Sequence, residues 1–284
     1  MDRFSTSLLG EASTLLLATD GSAFSDGAIQ EAIFFGQACR ARVIVLHVVQ
    51  TRAESIVSAR FAVRQGQQEL APHLEEIRRM ARDSGVELEV VVIGSGRPEQ
   101  AIVEQAHLRG ADVILMGRHG RAGRLSLLVG KMTKRVIDQG FPRVLVAPKD
   151  FIITGRRLLV AVDDSANGRQ AVREALSLAR TCTTLEGLTV LSVARRETER
   201  PHHQALVEAV CARAAAEGVP VACSPRTVVG DPATCVVEAA RADEADLIII
   251  GAWRRGGAGT GLLRGHVCEQ VIGRAHCAVL VVTA

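Results

Sequence analysis

Asp112-Val113-Ile114-Leu115-Met116-Gly117-Arg118-His119-Gly120 is the stretch whose reading decides the fold. Its unbroken apolar run, 113–116, predicts a strand buried on both faces, as in a parallel sheet covered by helices. Glycines follow at once, and beyond them the apolar spacing of 129–140 predicts a helix. A chain that turns from a strand's C-terminal end into a helix N-terminus presents free backbone N–H groups and a positive dipole end, which suit an anion. Glycine lets such a backbone approach a phosphate closely. Arg118, Arg121, Arg124 and Lys131 bias the same place towards phosphate.

Outward from this loop, the first 150 residues alternate strands and helices. The spacing predicts strands at 14–18, 43–49, 87–93, 112–117 and 143–147. It predicts helices at 23–40, 67–84, 98–109 and 129–140, with 50–65 as a loop or an irregular helix start. Ser22 or Ser25 is the expected cap of the first helix, Gly85 ends the second, and Pro98 opens the third. Gly94-Ser95-Gly96 reads as a turn. The pattern is that of a doubly wound, Rossmann-like parallel sheet.

The second half repeats the first. Gly230-Asp231-Pro232 matches Gly96-Arg97-Pro98 at an offset of 232 − 98 = 134, and Ala245-Asp246 through Gly251 matches Ala111-Asp112 through Gly117 at 251 − 117 = 134. The acidic turns Asp20-Gly21-Ser22 and Asp163-Asp164-Ser165 stand 163 − 20 = 143 apart. The difference of nine predicts a shorter connection after the second strand of the second copy. A period this long is a domain duplication. The α/β fold expected is therefore two tandem domains, 1–150 and 156–284, each a five-stranded parallel sheet flanked by helices.

Composition narrows the function. Of 284 residues 48% are apolar but only 3% aromatic, with no tyrosine, so the cores must be aliphatic. A net charge of +3 without a basic, aromatic-interleaved stripe gives no nucleic-acid footprint. No run approaches a membrane span. Asp2 and Glu11 at the start argue against a secretory signal. Seven cysteines without a C-x-x-C pair read as reduced core thiols of a cytoplasmic protein.

Asp20 with Gly21-Ser22, the Gly96-x-Pro98 turn and Gly117-x2-Gly120-x9-Gly130 together resemble a universal stress protein domain, and the whole chain is similar to a tandem member of that family. The resemblance implies an adenine-nucleotide-binding regulatory protein of the stress response, with ATP, with or without magnesium, held by the glycine motif. Asp20, Val48 and Val49 would hold adenine and ribose. Gly117, Arg118, Gly120 and Gly130, with the backbone around Lys131 and Met132, would hold ribose and phosphates. Asp163, Gly251, Gly265 and His266 are the counterparts in the second copy. The family's pairing through last strands implies an intrachain pseudo-dimer built on 144–147 and 279–282, and a homodimer as a further step.

The sequence departs from the family pattern in both copies. Lys131 stands where a serine or threonine is expected, leaving Ser126 and Thr133 as the nearby hydroxyls. In the second copy Arg254 replaces the glycine three positions after Gly251. Gly251 to Gly265 spans 14 positions against 13 from Gly117 to Gly130, and His266 follows. The second site is therefore expected to be altered. Other motifs fail: Leu125 and Met132 break a P-loop, and Glu99 stands where a dinucleotide fingerprint needs its third glycine. His202-His203 reads as a solvated helix start, and His47 as a satisfied strand histidine. No nucleophile–base pair, paired carboxylates or metal cluster stands out. The alternatives are a nucleotide-free interaction scaffold and a slow ATPase.

Overall fold

A computed structural model describes residues 12–51, 56–119, 129–252 and 266–284. The first half runs β1 (Thr14–Ala18), α1 (Asp26–Cys39), β2 (Arg42–Gln50), α2 (Ile56–Asp83), β3 (Leu88–Ser95), α3 (Pro98–Leu108), β4 (Val113–Gly117), α4 (Lys131–Asp138) and β5 (Arg143–Ala147). The second repeats it: β6 (Arg157–Ala161), α5 (Ala166–Thr181), β7 (Gly187–Ala194), α6 (Arg200–Ala216), β8 (Cys223–Val229), α7 (Pro232–Ala242), β9 (Leu247–Gly251), α8 (His266–Arg274) and β10 (Ala278–Val282).

The two five-strand sets join into one ten-stranded sheet, ordered β3-β2-β1-β4-β5-β10-β9-β6-β7-β8. Pairing within each half is parallel, and only the junction is antiparallel, with Leu145 opposite Leu280 and Val144 opposite Val281. Side chains cross the same seam. Arg143 pairs with Glu174 of α5 at 3.1 Å, Lys134 of α4 pairs with Glu269 of α8, and the buried Glu31 of α1 accepts the Ile153 N–H at 3.0 Å.

The strands alternate as a sheet covered on both faces requires. Leu15 and Leu17 enter one aliphatic layer with residues of α1, α2, α5 and α6, whereas Leu16 and Ala18 enter the other with residues of α3, α4, α7 and α8. All three leucines are fully buried, so truncating any one to alanine should cost about 2–5 kcal/mol.

The repeated Ala-Asp dipeptide has a structural cause. Asp112 Oδ2 accepts the N–H groups of Ser13 and Thr14 at 2.8 and 3.0 Å, and Asp246 Oδ2 accepts those of Arg156 and Arg157 at 2.9 and 3.3 Å. Each carboxylate thus ties the start of one central strand to its neighbour. The nine-residue difference falls where the spacing puts it: Gln50 to Leu88 is 88 − 50 = 38 positions, and Ala194 to Cys223 is 223 − 194 = 29.

Three local expectations are corrected. Helix α2 begins at Ile56, well before the expected 67, and carries Pro72 in its interior. The start was hidden because its apolar residues do not form one stripe: Val63, with Gly66, faces the sheet, whereas Val57 and Phe61 are exposed. Strand β3 continues through Gly94 and Ser95, held by the β2 register to Gln50, where a turn was expected. Neither Ser22 nor Ser25 caps α1, since both hydroxyls donate to Asp20 instead. Gly85 does end α2 in the left-handed region at φ +66°.

Candidate functional site

In each half the strand order reverses direction between the first and fourth strands. From β1 the chain moves outward to β2 and β3, and from β4 it moves the other way to β5. With β1 and β4 hydrogen-bonded side by side, the turn after Ala18 and the turn after Gly117 open next to each other. Such a switch point at the carboxyl ends of the strands is where open α/β sheets leave a crevice. The second half does the same between β6 and β9.

Asp20 lies on this edge. Its Oδ1 accepts the Ser22 N–H at 3.0 Å, the Ser22 hydroxyl at 2.6 Å and the Ser25 hydroxyl at 3.3 Å, which fixes the carboxylate over the turn. Asp163 repeats the turn with Ser165, whose N–H and hydroxyl reach Oδ1 at 3.1 and 2.5 Å. There Gly168 stands in place of Ser25, because a Cβ would sit 2.2 Å from Asp163 Oδ1. Ser165 also caps α5, accepting from the Gly168 N–H.

The ends of the central strands need glycine for packing. A Cβ on Gly117 would meet the Phe24 carbonyl oxygen at 2.4 Å, and one on Gly251 would meet the Asn167 carbonyl carbon at 2.6 Å. The residue after each glycine continues the ladder: the Arg118 N–H donates to Ala147 and the Ala252 N–H to Val282. Beyond that point the halves diverge. The Arg118 carbonyl accepts the Gly130 N–H at 2.8 Å, which closes the base of the glycine loop, whereas the Ala252 carbonyl accepts the Asn167 side chain.

The Arg118 side chain turns away from the crevice expected for it. Its guanidinium donates to the carbonyls of Gly273, at 3.3 Å, and Ala275, at the C-terminal end of α8. Burial lowers its pKa. His119 lies edge-on to Phe24 with ring centroids 6.3 Å apart, and burial, with the Arg118 charge beside it, lowers its pKa.

Gly130 is the N-cap of α4 and has no side chain to satisfy the helix's first N–H groups. Lys131 is exposed at the first helical position, and Met132 packs partly against the core. The first turn of α4 holds no acidic residue, whereas that of α8 holds Glu269. The Thr133 hydroxyl is buried and donates to the Gly117 carbonyl at 3.0 Å, tying α4 to the end of β4.

At the end of β2, Val48 packs on the α3/α4 layer, while Val49 lies against Gly66 of α2. His47 donates through Nδ1–H to the Thr19 carbonyl, 2.8 Å away, and His73 Nε2 approaches the Thr19 hydroxyl at 3.5 Å. In the second half Ser192 takes the place of His47, donating to the Val162 carbonyl at 2.9 Å with His203 Nδ1 2.7 Å behind it. This polar layer behind the aspartate turn escaped the sequence reading, which had only His47 and the histidine pair to go on. His202 pairs with Asp164. No group of three or more metal-ligating side chains occurs among the described residues. His266 is the first residue of α8, while Gly120, Gly265, Arg121, Arg124, Ser126 and Arg254 lie outside the described residues. No helix among them is long and apolar enough to cross a membrane.

Comparison with known proteins follows the duplication. The Universal stress protein family model matches residues 12–148 and again 155–283. A universal stress protein of Methanocaldococcus jannaschii is 30% identical over 143 residues, 48% of this chain and 81% of that protein. One of Thermus aquaticus is 30% identical over 130 residues, 44% of this chain and 91% of that protein. In three dimensions a universal stress protein from Archaeoglobus fulgidus superposes with a TM-score of 0.75 at 20% identity, covering 96% of this chain and 99% of that one. The chain belongs to the universal stress protein family, with one family domain in each half.

Proposed function

We propose that this protein is an adenine-nucleotide-binding regulator of the stress response, in which the unit 1–150 binds ATP and the unit 156–284 carries an altered site. The observation that carries the reading is the switch point, where the Asp20 turn and the N-terminus of α4 open on the same edge of the sheet. Asp20, with Val48 and Val49 behind it, would receive the ribose and adenine. Gly117, Gly120 and Gly130, with the N–H groups of Lys131 and Met132, would receive the phosphates.

Electrostatics supports this assignment. A lysine at the first position of a helix, with no acid in the first turn, sits against the positive end of the dipole. A bound phosphate, with any magnesium it brings, relieves that arrangement. At α8 the carboxylate of Glu269 already occupies the first turn, which supports a weaker second site around Asp163, Gly251, Gly265 and His266. The antiparallel β5–β10 junction supports reading the two halves as an intrachain pseudo-dimer.

One observation favours a nucleotide-free scaffold: the packing of Phe24 is enough to require Gly117, and the Arg118 guanidinium is engaged elsewhere. Nucleotide released from the purified, denatured protein, followed by titration with ATP, separates the two. About one adenine nucleotide per chain, lost in Gly120→Val, is the expected result. Two per chain would restore the second site, and none at millimolar ATP would leave the scaffold reading.

A further inference from the structure

Helix α2 is 28 residues long and its counterpart α6 only 17, so the two copies differ most in what α2 adds. The added turns are anchored by one side. A Cβ on Gly66 would lie 2.6 Å from Val49 Cγ2, and one on Gly94 would lie 2.8 Å from Val63 Cγ2, so Gly66 and Val63 press directly on the ends of β2 and β3. The opposite side carries Val57, Arg60, Phe61 and Arg64, spaced i, i+3, i+4 and i+7 and hence on one helical face. Val57 is 78% and Phe61 69% exposed, among the largest exposures of apolar side chains in the described residues.

The charges on this face are uncompensated. Farther along α2, Arg78 and Arg82 pair with Glu75, and Arg79 pairs with Glu76. Arg60 and Arg64 have no ion-pair partner among the described residues, and positions 56–68 contain no acid at all. An exposed phenylalanine and valine flanked by unpaired guanidinium groups form a surface with a definite complement.

We propose that the outer face of the first turns of α2 is a docking site for an acidic amphipathic helix of a partner protein. Its leucine-type side chains would cover Phe61 and Val57 while its carboxylates meet Arg60 and Arg64. A symmetric pairing with a second copy would set these arginines against each other and is disfavoured. An anionic bilayer would gain only about 1 kcal/mol from each arginine and little from two apolar side chains.

The test uses the full-length chain and fluorescein-labelled helical peptides with a leucine stripe flanked either by glutamates or by lysines. Fluorescence anisotropy should show saturable, salt-sensitive binding of the glutamate peptide alone. Phe61→Ser should weaken it about tenfold or more, and the Arg60→Glu, Arg64→Glu double variant should abolish it, with the urea midpoint of each variant unchanged. Absence of saturable binding, equal binding by Phe61→Ser, or preference for phosphatidylserine vesicles over the glutamate peptide would each overturn the proposal.

Discussion

The guanidinium of Arg118 donates to the carbonyl oxygen of Gly273 at 3.3 Å, so a residue at the base of the first glycine loop caps a helix of the other half. The carbonyls it reaches lie in the last turn of α8, at Gly273, and just past its end, at Ala275, where a cation also meets the negative end of the dipole. The same residue's backbone carbonyl closes the first loop through Gly130.

Arg118→Ala should therefore destabilise the whole chain by about 2 kcal/mol, the scale of hydrogen bonds from a charged donor to half-buried carbonyls. Urea unfolding measures it, and Arg118→Lys should recover only part of the loss, because an ammonium lacks the fork. An unchanged midpoint in Arg118→Ala would show that the strut carries no stability.

Gly117→Ala should cost about 1–3 kcal/mol, because the new methyl meets backbone that cannot retreat without moving the start of α1. Gly251→Ala should cost a similar amount against Asn167. Thermal melts of the two variants test both, and a neutral Gly117→Ala would mean that the turn before α1 yields.

Asp20→Ala should weaken ATP binding, whereas Asp163→Ala should leave the total uptake nearly unchanged. Isothermal titration of both variants reads the difference. Equal losses would show two working sites and contradict the altered second half.

His276 occupies the position that Phe141 holds in the first half, two residues before the last strand. Its Nδ1 is buried without a hydrogen-bond partner among the described residues, and burial, reinforced by Arg241, lowers its pKa. A histidine with a depressed folded pKa gives its full stability above the unfolded value and loses it as pH falls through the folded one. His276→Phe should therefore be stabilising, and its advantage over the parent should grow between about pH 7 and about pH 5. Chemical denaturation at both pH values checks this, and a constant difference would refute it.

Much of the architecture was legible because it rests on local chemistry. The apolar runs 113–116 and 247–250 mark central strands wherever they occur, and Pro98 and Pro232 open helices by their fixed φ. The start of α2 was not legible, because its first turns meet the sheet through Val63 and Gly66, and the apolar stripe of Leu70, Leu74 and Ile77 begins only later. Thr133 offered a hydroxyl near the loop, but the sequence could not tell that this hydroxyl faces the Gly117 carbonyl.

By itself the sequence determined the duplication, the order of strands and helices, the nine-residue difference between copies and the aspartates that recur with the strands. All of these follow from periodicity and spacing along the chain. The tertiary structure decided the register of Leu145 on Leu280, the direction of the Arg118 side chain and the reason Gly117 can be nothing larger. Those depend on which atoms from distant segments lie within a few ångströms, and close packing fixes that only when both halves of the sheet are assembled.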